Sequence, residues 1–171
     1  TGGMGLEGVI ELKCFVEDGG LLVLLQNSVR VALDFGFVRE LGYARTSSQF
    51  HNPGSILRCE VVNETHPIAY GYPKEPAVLR RHSGPLLSVP EDMEKHIVLR
   101  YAEEGDLCLS GIVKGEKDIK GKAAILDAPL GQGRVVMFTF NPFWRDTNHG
   151  VYAFVFNALL NAGSEGWTLQ E

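Results

Sequence analysis

LEGVIELKCFVEDGGLLVLL, residues 6–25, divides at its glycine pair. Before the pair, Leu6, Val9, Ile10, Leu12 and Phe15 fall near helical spacing, which predicts an amphipathic helix over 6–17 with these residues on its core face. Gly19-Gly20 supplies the stop, because glycine accepts the left-handed conformation at a helix C-terminus. After the pair, Leu21 to Leu25 is an unbroken apolar run. A run of that length bounded by turn residues predicts a central strand covered on both faces. Helix, glycine pair and buried strand in succession give the rhythm of a parallel α/β sheet.

Working outward, a second helix is expected over 29–40. Residues 43–54 turn polar, and Asn52-Pro53-Gly54 predicts a turn. Strands are expected over 56–62, 77–81 and 97–101, separated by loops at His66-Pro67 and 73–76. Residues 123–128 and 134–140 flank Leu130-Gly-Gln-Gly133, which predicts an antiparallel hairpin. A polar loop, 141–149, leads into a closing helix over 151–160, with Tyr152, Val155, Phe156, Leu159 and Leu160 on its expected core face.

The bulk numbers exclude several classes. With 171 residues the chain fits one domain with a sizeable core. A net charge of −5 offers no basic surface for nucleic acid, and Arg80-Arg81 reads as a solvated strand end. No apolar run approaches the roughly 18 residues that would span a membrane. Cys14, Cys59 and Cys108 are odd in number and far apart, so each is expected to be buried and inert rather than part of a disulfide or zinc knuckle. The chain opens on Thr1 rather than Met, as an excised fragment would.

Motifs for chemistry are incomplete. Gly3, Gly5 and Gly8 satisfy G-x-G-x-x-G, but the dinucleotide fold also needs a preceding strand and an acidic residue about 20 positions on, and the strand at 21–25 ends in Gln26-Asn27. The five histidines contain no H-x-x-H or H-x-x-E pair, and no G-x-S-x-G elbow occurs. No catalytic residue, metal ligand or cofactor is therefore assigned. His51, Asn52 and His66 read as turn residues, His66 with a backbone hydrogen bond. The polar cluster after the last strand carries the remaining candidates: Asn141, Arg145, which has the fork geometry for a carboxylate or phosphate, and His149, with Asn27 joining them at the strand ends. Trp144 is expected to anchor this loop to the core.

Several segments together resemble a known family: Gly5-Leu-Glu-Gly-Val9, Phe15 to Val23, Pro53 to Arg58, His66 to Gly71, Leu130 to Val136, Phe140 to Arg145, and His149 with Phe156 to Leu160. The chain is similar to the C-terminal domain of certain bacterial zinc carboxypeptidases, itself similar to class I glutamine amidotransferases. The resemblance implies an α/β, flavodoxin-like three-layer sandwich with a mostly parallel sheet and an antiparallel C-terminal hairpin, lacking one or two βα units before Gly3. It implies zinc only in a separate upstream peptidase domain, which would be this domain's partner, with homo-oligomerisation as a further mode of association and an exported location. Amidotransferases place a Cys at a strand-to-helix elbow; here the matching segment is Gln26-Asn27-Ser28, and Ser28 has no evident base. Their Phe-His-Pro-Glu segment corresponds to Phe140-Asn141-Pro142-Phe143, so base and orienting carboxylate are missing. The expectation is a non-catalytic accessory domain for packing, substrate access or oligomerisation. The alternatives are a small-ligand module at Asn27, Asn141, Arg145 and His149, and a hydrolase using Ser28 or Cys108.

Overall fold

The computed structural model describes residues 2–82 and 84–163. Helix α1 spans Gly5–Glu17 and ends as expected: Gly19, at φ 112°, donates to Val16 O at 2.9 Å, and Gly20 donates to Phe15 O at 2.9 Å. Strand β1 follows at Leu21–Leu25 and helix α2 at Val29–Asp34. The second helix is shorter than expected, because Phe35-Gly36 closes it with Gly36 at φ 61°. Further strands are β2 (Gly42–Tyr43), β3 (His51–Val61), β4 (Ala77–Arg80), β5 (Leu87–Ser88), β6 (Ile97–Tyr101), β7 (Cys108–Lys114), β8 (Ala123–Leu130) and β9 (Gly133–Phe138). Helix α3, Tyr152–Leu160, closes the described chain.

Seven strands form the main sheet in the order β1-β9-β8-β6-β3-β4, with β7 also paired to β3; β2 and β5 form a separate pair. Only β1 and β9 run parallel. Every other pairing is antiparallel. The expected mostly parallel, flavodoxin-like sheet is therefore corrected. A parallel neighbour needs a crossover, usually helical, and the described chain between β3 and β9 contains no α-helix, only short 3-10 turns. The expected central position of β1 is corrected with it: β1 lies at the sheet edge, and only Leu24 of its five residues is buried.

Strand β3 organises the middle of the molecule. Its partner along one side is discontinuous: β6 pairs with Cys59 to Val61, the chain leaves after Tyr101, and β7 resumes with Cys108 opposite Leu57. Asn52-Pro53-Gly54 is not a turn but lies inside β3, where the pairing with β7 slips between His51 and Gly54. Pairing with β4 begins only at Ser55, so Pro53 meets no partner strand there that needs its missing N–H.

Helices cover both faces. On one, α1 and α2 bury Val9, Val16, Val29 and Ala32 against Met137, Val135 and Leu126. On the other, α3 buries Phe154, Val155 and Ala158 against Ile125, Phe138 and Leu99. The expected core faces shift accordingly: Leu6, Ile10 and Phe15 of α1, and Phe156, Leu159 and Leu160 of α3, are exposed. Cys59 is buried, but Cys14 is exposed and Cys108 half-buried, and all three are free. None of the described helices is long and apolar enough to cross a membrane.

A buried polar network ties the layers together. Asp127 on β8, with no exposed surface, accepts from Arg134 Nε at 2.9 Å and Nη2 at 2.7 Å. It also lies 3.0 Å from His66 Nε2. Because His66 Nδ1 accepts from Ile68 N–H at 3.2 Å, the ring proton belongs on Nε2, facing the carboxylate. The backbone bond expected of His66 is present; its carboxylate partner, 61 positions on, had no local signal. Breaking one member of such a set costs about 3–5 kcal/mol, because the charge left behind stays buried.

Candidate functional site

The register fixes which ends of the strands share one edge of the molecule. Leu25 of β1 lies beside Phe138 of β9, Arg100 of β6 beside Ala123 of β8, and Arg80 of β4 beside Ser55 of β3. The carboxyl ends of β1, β9, β6 and β4 thus converge. Open α/β sheets bind ligands at such ends, at the point where connections part.

At the end of β1 the chain turns sharply. Gln26 has φ 52°, a left-handed conformation that costs a non-glycine residue about 1–2 kcal/mol. Ser28 fastens the turn: Leu25 N–H donates to Ser28 Oγ at 2.8 Å, and the hydroxyl donates back to Leu25 O at 2.7 Å. Asn27, exposed, accepts at Oδ1 from Gly84 N–H at 2.9 Å. Gly84, at φ 102°, sits so close that a Cβ there would lie 2.8 Å from Thr139 O and 3.1 Å from Gln26 Cγ. The segment after β4 therefore crosses the sheet end and rests on the β1 elbow and the end of β9.

Arg80 holds that crossing from beneath. It is 1% exposed, which corrects the solvated strand end expected for it. Its Nη1 donates to Arg81 O and its Nη2 to Gly84 O, each at 3.1 Å. Its guanidinium carbon lies 5.9 Å from the Phe50 ring centre and 6.0 Å from that of Tyr101. Burial pushes the Tyr101 phenol up to about 12, against the opposing Arg80 charge, and its hydroxyl meets Thr139 Oγ1 at 2.9 Å. Arg80 Nε and both amide atoms of Asn52, itself 1% exposed, have no hydrogen-bond partner among the described residues.

The loop after β9 forms the outer part of this edge. Asn141 Oδ1 accepts from Phe143 N–H at 3.0 Å, closing a local turn. Arg145 and Asp146 have φ 47° and 57°. Arg145 is exposed, its guanidinium carbon 5.3 Å from the Trp144 ring centre; Arg81 approaches the same ring at 4.2 Å. His149 Nε2 lies 2.7 Å from Asp146 Oδ1, which also accepts from Tyr152 Oη at 2.7 Å. That Tyr152 hydrogen bond, with His149 beside it, holds the Asp146 carboxyl below its usual range. Asn148 Nδ2 donates to Ala77 O at 3.1 Å and so fastens the loop over β4.

Of the four residues singled out by sequence, Asn27 and Asn141 follow adjacent strands at this edge. Arg145 lies in the outer loop on Trp144, and His149 is engaged with Asp146. Gln26, Arg80, Arg81 and Gly84 escaped the sequence reading. Arg80 had a signal: in Ala77-Val78-Leu79-Arg80, period two puts it on the buried face with Val78. No three His, Cys, Asp or Glu side chains among the described residues are grouped to hold a metal. A groove of about 370 Å3 lies at the opposite sheet end, by the β8–β9 turn, lined by charges of both signs from Lys13, Glu17, Arg39, Glu40 and Asp92.

No protein-family model and no curated protein matches the chain. Solved structures do. A ThuA-like protein from Parabacteroides merdae has 12% identity and a TM-score of 0.61 over 97% of this chain and 68% of its own. A cytoplasmic protein from Salmonella typhimurium has 14% identity and a TM-score of 0.58, over 91% and 60%. A ThuA-like protein from Bacteroides uniformis has 11% identity and a TM-score of 0.51, over 89% and 62%. The chain thus spans about 60–68% of the length of these structures. Likeness at such identities concerns the fold alone and supports an amidotransferase-like fold.

Proposed function

We propose that this chain is a non-catalytic, amidotransferase-like accessory domain that packs against another part of a larger protein. The observation that carries the reading is the β1 elbow. It keeps the left-handed residue on which a nucleophile would be presented, but that residue is Gln26, whose amide cannot attack a carbonyl. Ser28, the nearby hydroxyl, has its donor and an acceptor position committed to Leu25. Cys108, the other candidate, donates to Ser110 O within its own strand. In the sequence resemblance, Asn141 and Phe143 take the positions of the base and its orienting group. Among the described residues, surface for packing is offered by the β1 edge and by exposed Leu6 and Ile10 of α1 and Leu159 and Leu160 of α3. A zinc carboxypeptidase-like partner domain is the candidate that the sequence resemblance supplies. Ammonia release from glutamine and cleavage of a mixed peptide pool should both stay at the buffer rate. Turnover at an enzymatic rate that Asn141→Ala abolishes would refute the reading.

A second reading, that the strand-end edge holds a small ligand, is favoured by where strain collects. Of the four non-glycine residues with positive φ among the described residues, Gln26, Arg145 and Asp146 follow β1 or β9 at this edge. Left-handed non-glycine residues persist where surroundings enforce them, often at ligand sites.

A further inference from the structure

We infer that Arg81 and Arg145, braced on Trp144, form a binding site for a small oxyanion, a carboxylate or phosphate group; the inference rests on the ligand reading of this edge. Both guanidinium carbons lie over one indole ring, 4.2 and 5.3 Å from its centre, and this contact restricts the two side chains before any ligand arrives. A guanidinium pre-set in this way loses less freedom when it forms paired hydrogen bonds to a carboxylate or phosphate. Among the described residues neither guanidinium donates a hydrogen bond, which leaves N–H groups for a ligand.

Among the described residues no carboxylate lies within 4 Å of either guanidinium. The nearest carboxylate in sequence, Asp146, is occupied by His149 and Tyr152. On a chain of net charge −5, two cations with no carboxylate within 4 Å among the described residues are a local departure from its general electrostatics. Arg80 adds a third positive charge at the same strand end. It is fully buried, its Nε has no hydrogen-bond partner among the described residues, and its other nitrogens donate to Arg81 O and Gly84 O. Arg145 itself has φ 47°, a left-handed conformation that a non-glycine residue keeps only where its surroundings enforce it.

The test uses the 171-residue chain in 15N-resolved NMR titrations, with the Trp144 indole N–H as reporter, assigned through Trp144→Phe. Succinate and inorganic phosphate are the two anionic probes, sodium chloride of equal ionic strength is the control, and propionamide is a neutral probe. A saturable shift of the Trp144 signal with either anion, absent with chloride, is expected. Arg81→Ala or Arg145→Ala should weaken it at least tenfold, whereas Arg39→Ala at the opposite end should not. Saturation by succinate alone, phosphate alone or both identifies the oxyanion. A linear, unsaturated response, or binding unchanged in both arginine variants, overturns the inference. If the anions fail but propionamide shifts Asn27 and Gly84, the oxyanion site falls and the ligand reading stands; if no probe binds, both fall.

Discussion

His96 shows how a single side chain makes stability depend on pH. It is 5% exposed, and burial first, then the neighbouring Lys95 charge, pushes its pKa below the usual imidazole value; Arg134 adds to this, while Asp127 opposes it. The unfolded chain therefore takes up the His96 proton at a higher pH than the folded one does. Its contribution is fully present above about pH 6.5 and is lost as pH falls through that range toward the folded value. Urea unfolding at pH 7.5 and pH 5 should show a larger loss of stability in the natural protein than in His96→Gln. Parallel losses in the two proteins would refute this assignment.

Among the elements, the junction of α1, β1 and the β8–β9 turn is the most tightly specified. Gln132 N–H donates to Glu17 O at 2.9 Å and Arg134 N–H to Gly20 O at 3.1 Å. Gly133 lies between them, where a Cβ would stand 2.1 Å from Val16 O and 2.2 Å from Gly20 O. These are backbone atoms of a capped helix and cannot step aside. Gly133→Ala should cost more than about 2 kcal/mol in denaturant unfolding, whereas Gly42→Ala, with open space around it, should cost much less. Element types were legible where the pattern was local: the glycine-capped α1, the β8–β9 hairpin, and α3 following a polar loop. Faces were less legible. In α3, Tyr-Ala-Phe-Val-Phe-Asn-Ala-Leu-Leu is apolar nearly all round, so periodicity cannot choose between Phe154 and Phe156. In α1 the buried pair Val9 and Val16, seven residues apart, competes with an equally apolar row through Leu6 and Ile10. Asn52-Pro53-Gly54 has the composition of a turn, and only the free side of β3 lets it stay extended.

For the whole molecule, legibility depends on distance along the chain. The elbow, Asn27 and the loop at 141–149 could be found because strand ends are local features. Arg81 could not be paired with Trp144, nor His66 with Asp127, because each pairing spans about sixty residues and exists only after the sheet is assembled. The same limit applies to the direction of the sheet. A run such as Leu21–Leu25 announces burial but not which strand will lie beside it, nor whether it stands at the centre or the edge.

The parallel contact of β1 with β9 also has a kinetic consequence. Leu21 meets Arg134 and Leu25 meets Phe138, more than a hundred positions later, whereas β9 meets β8 across a two-residue turn. Closing so long a loop costs chain entropy before any contact rewards it. The β8–β9 hairpin can assemble first, and α1 with β1 then docks onto a template already made. Native-state hydrogen exchange should find the amides of β1 and the last turn of α1 opening together, at a lower free energy than those of β8 and β9. Equal protection across all four would contradict this order. In this order α1 and β1 join the fold after the β8–β9 hairpin and open before it.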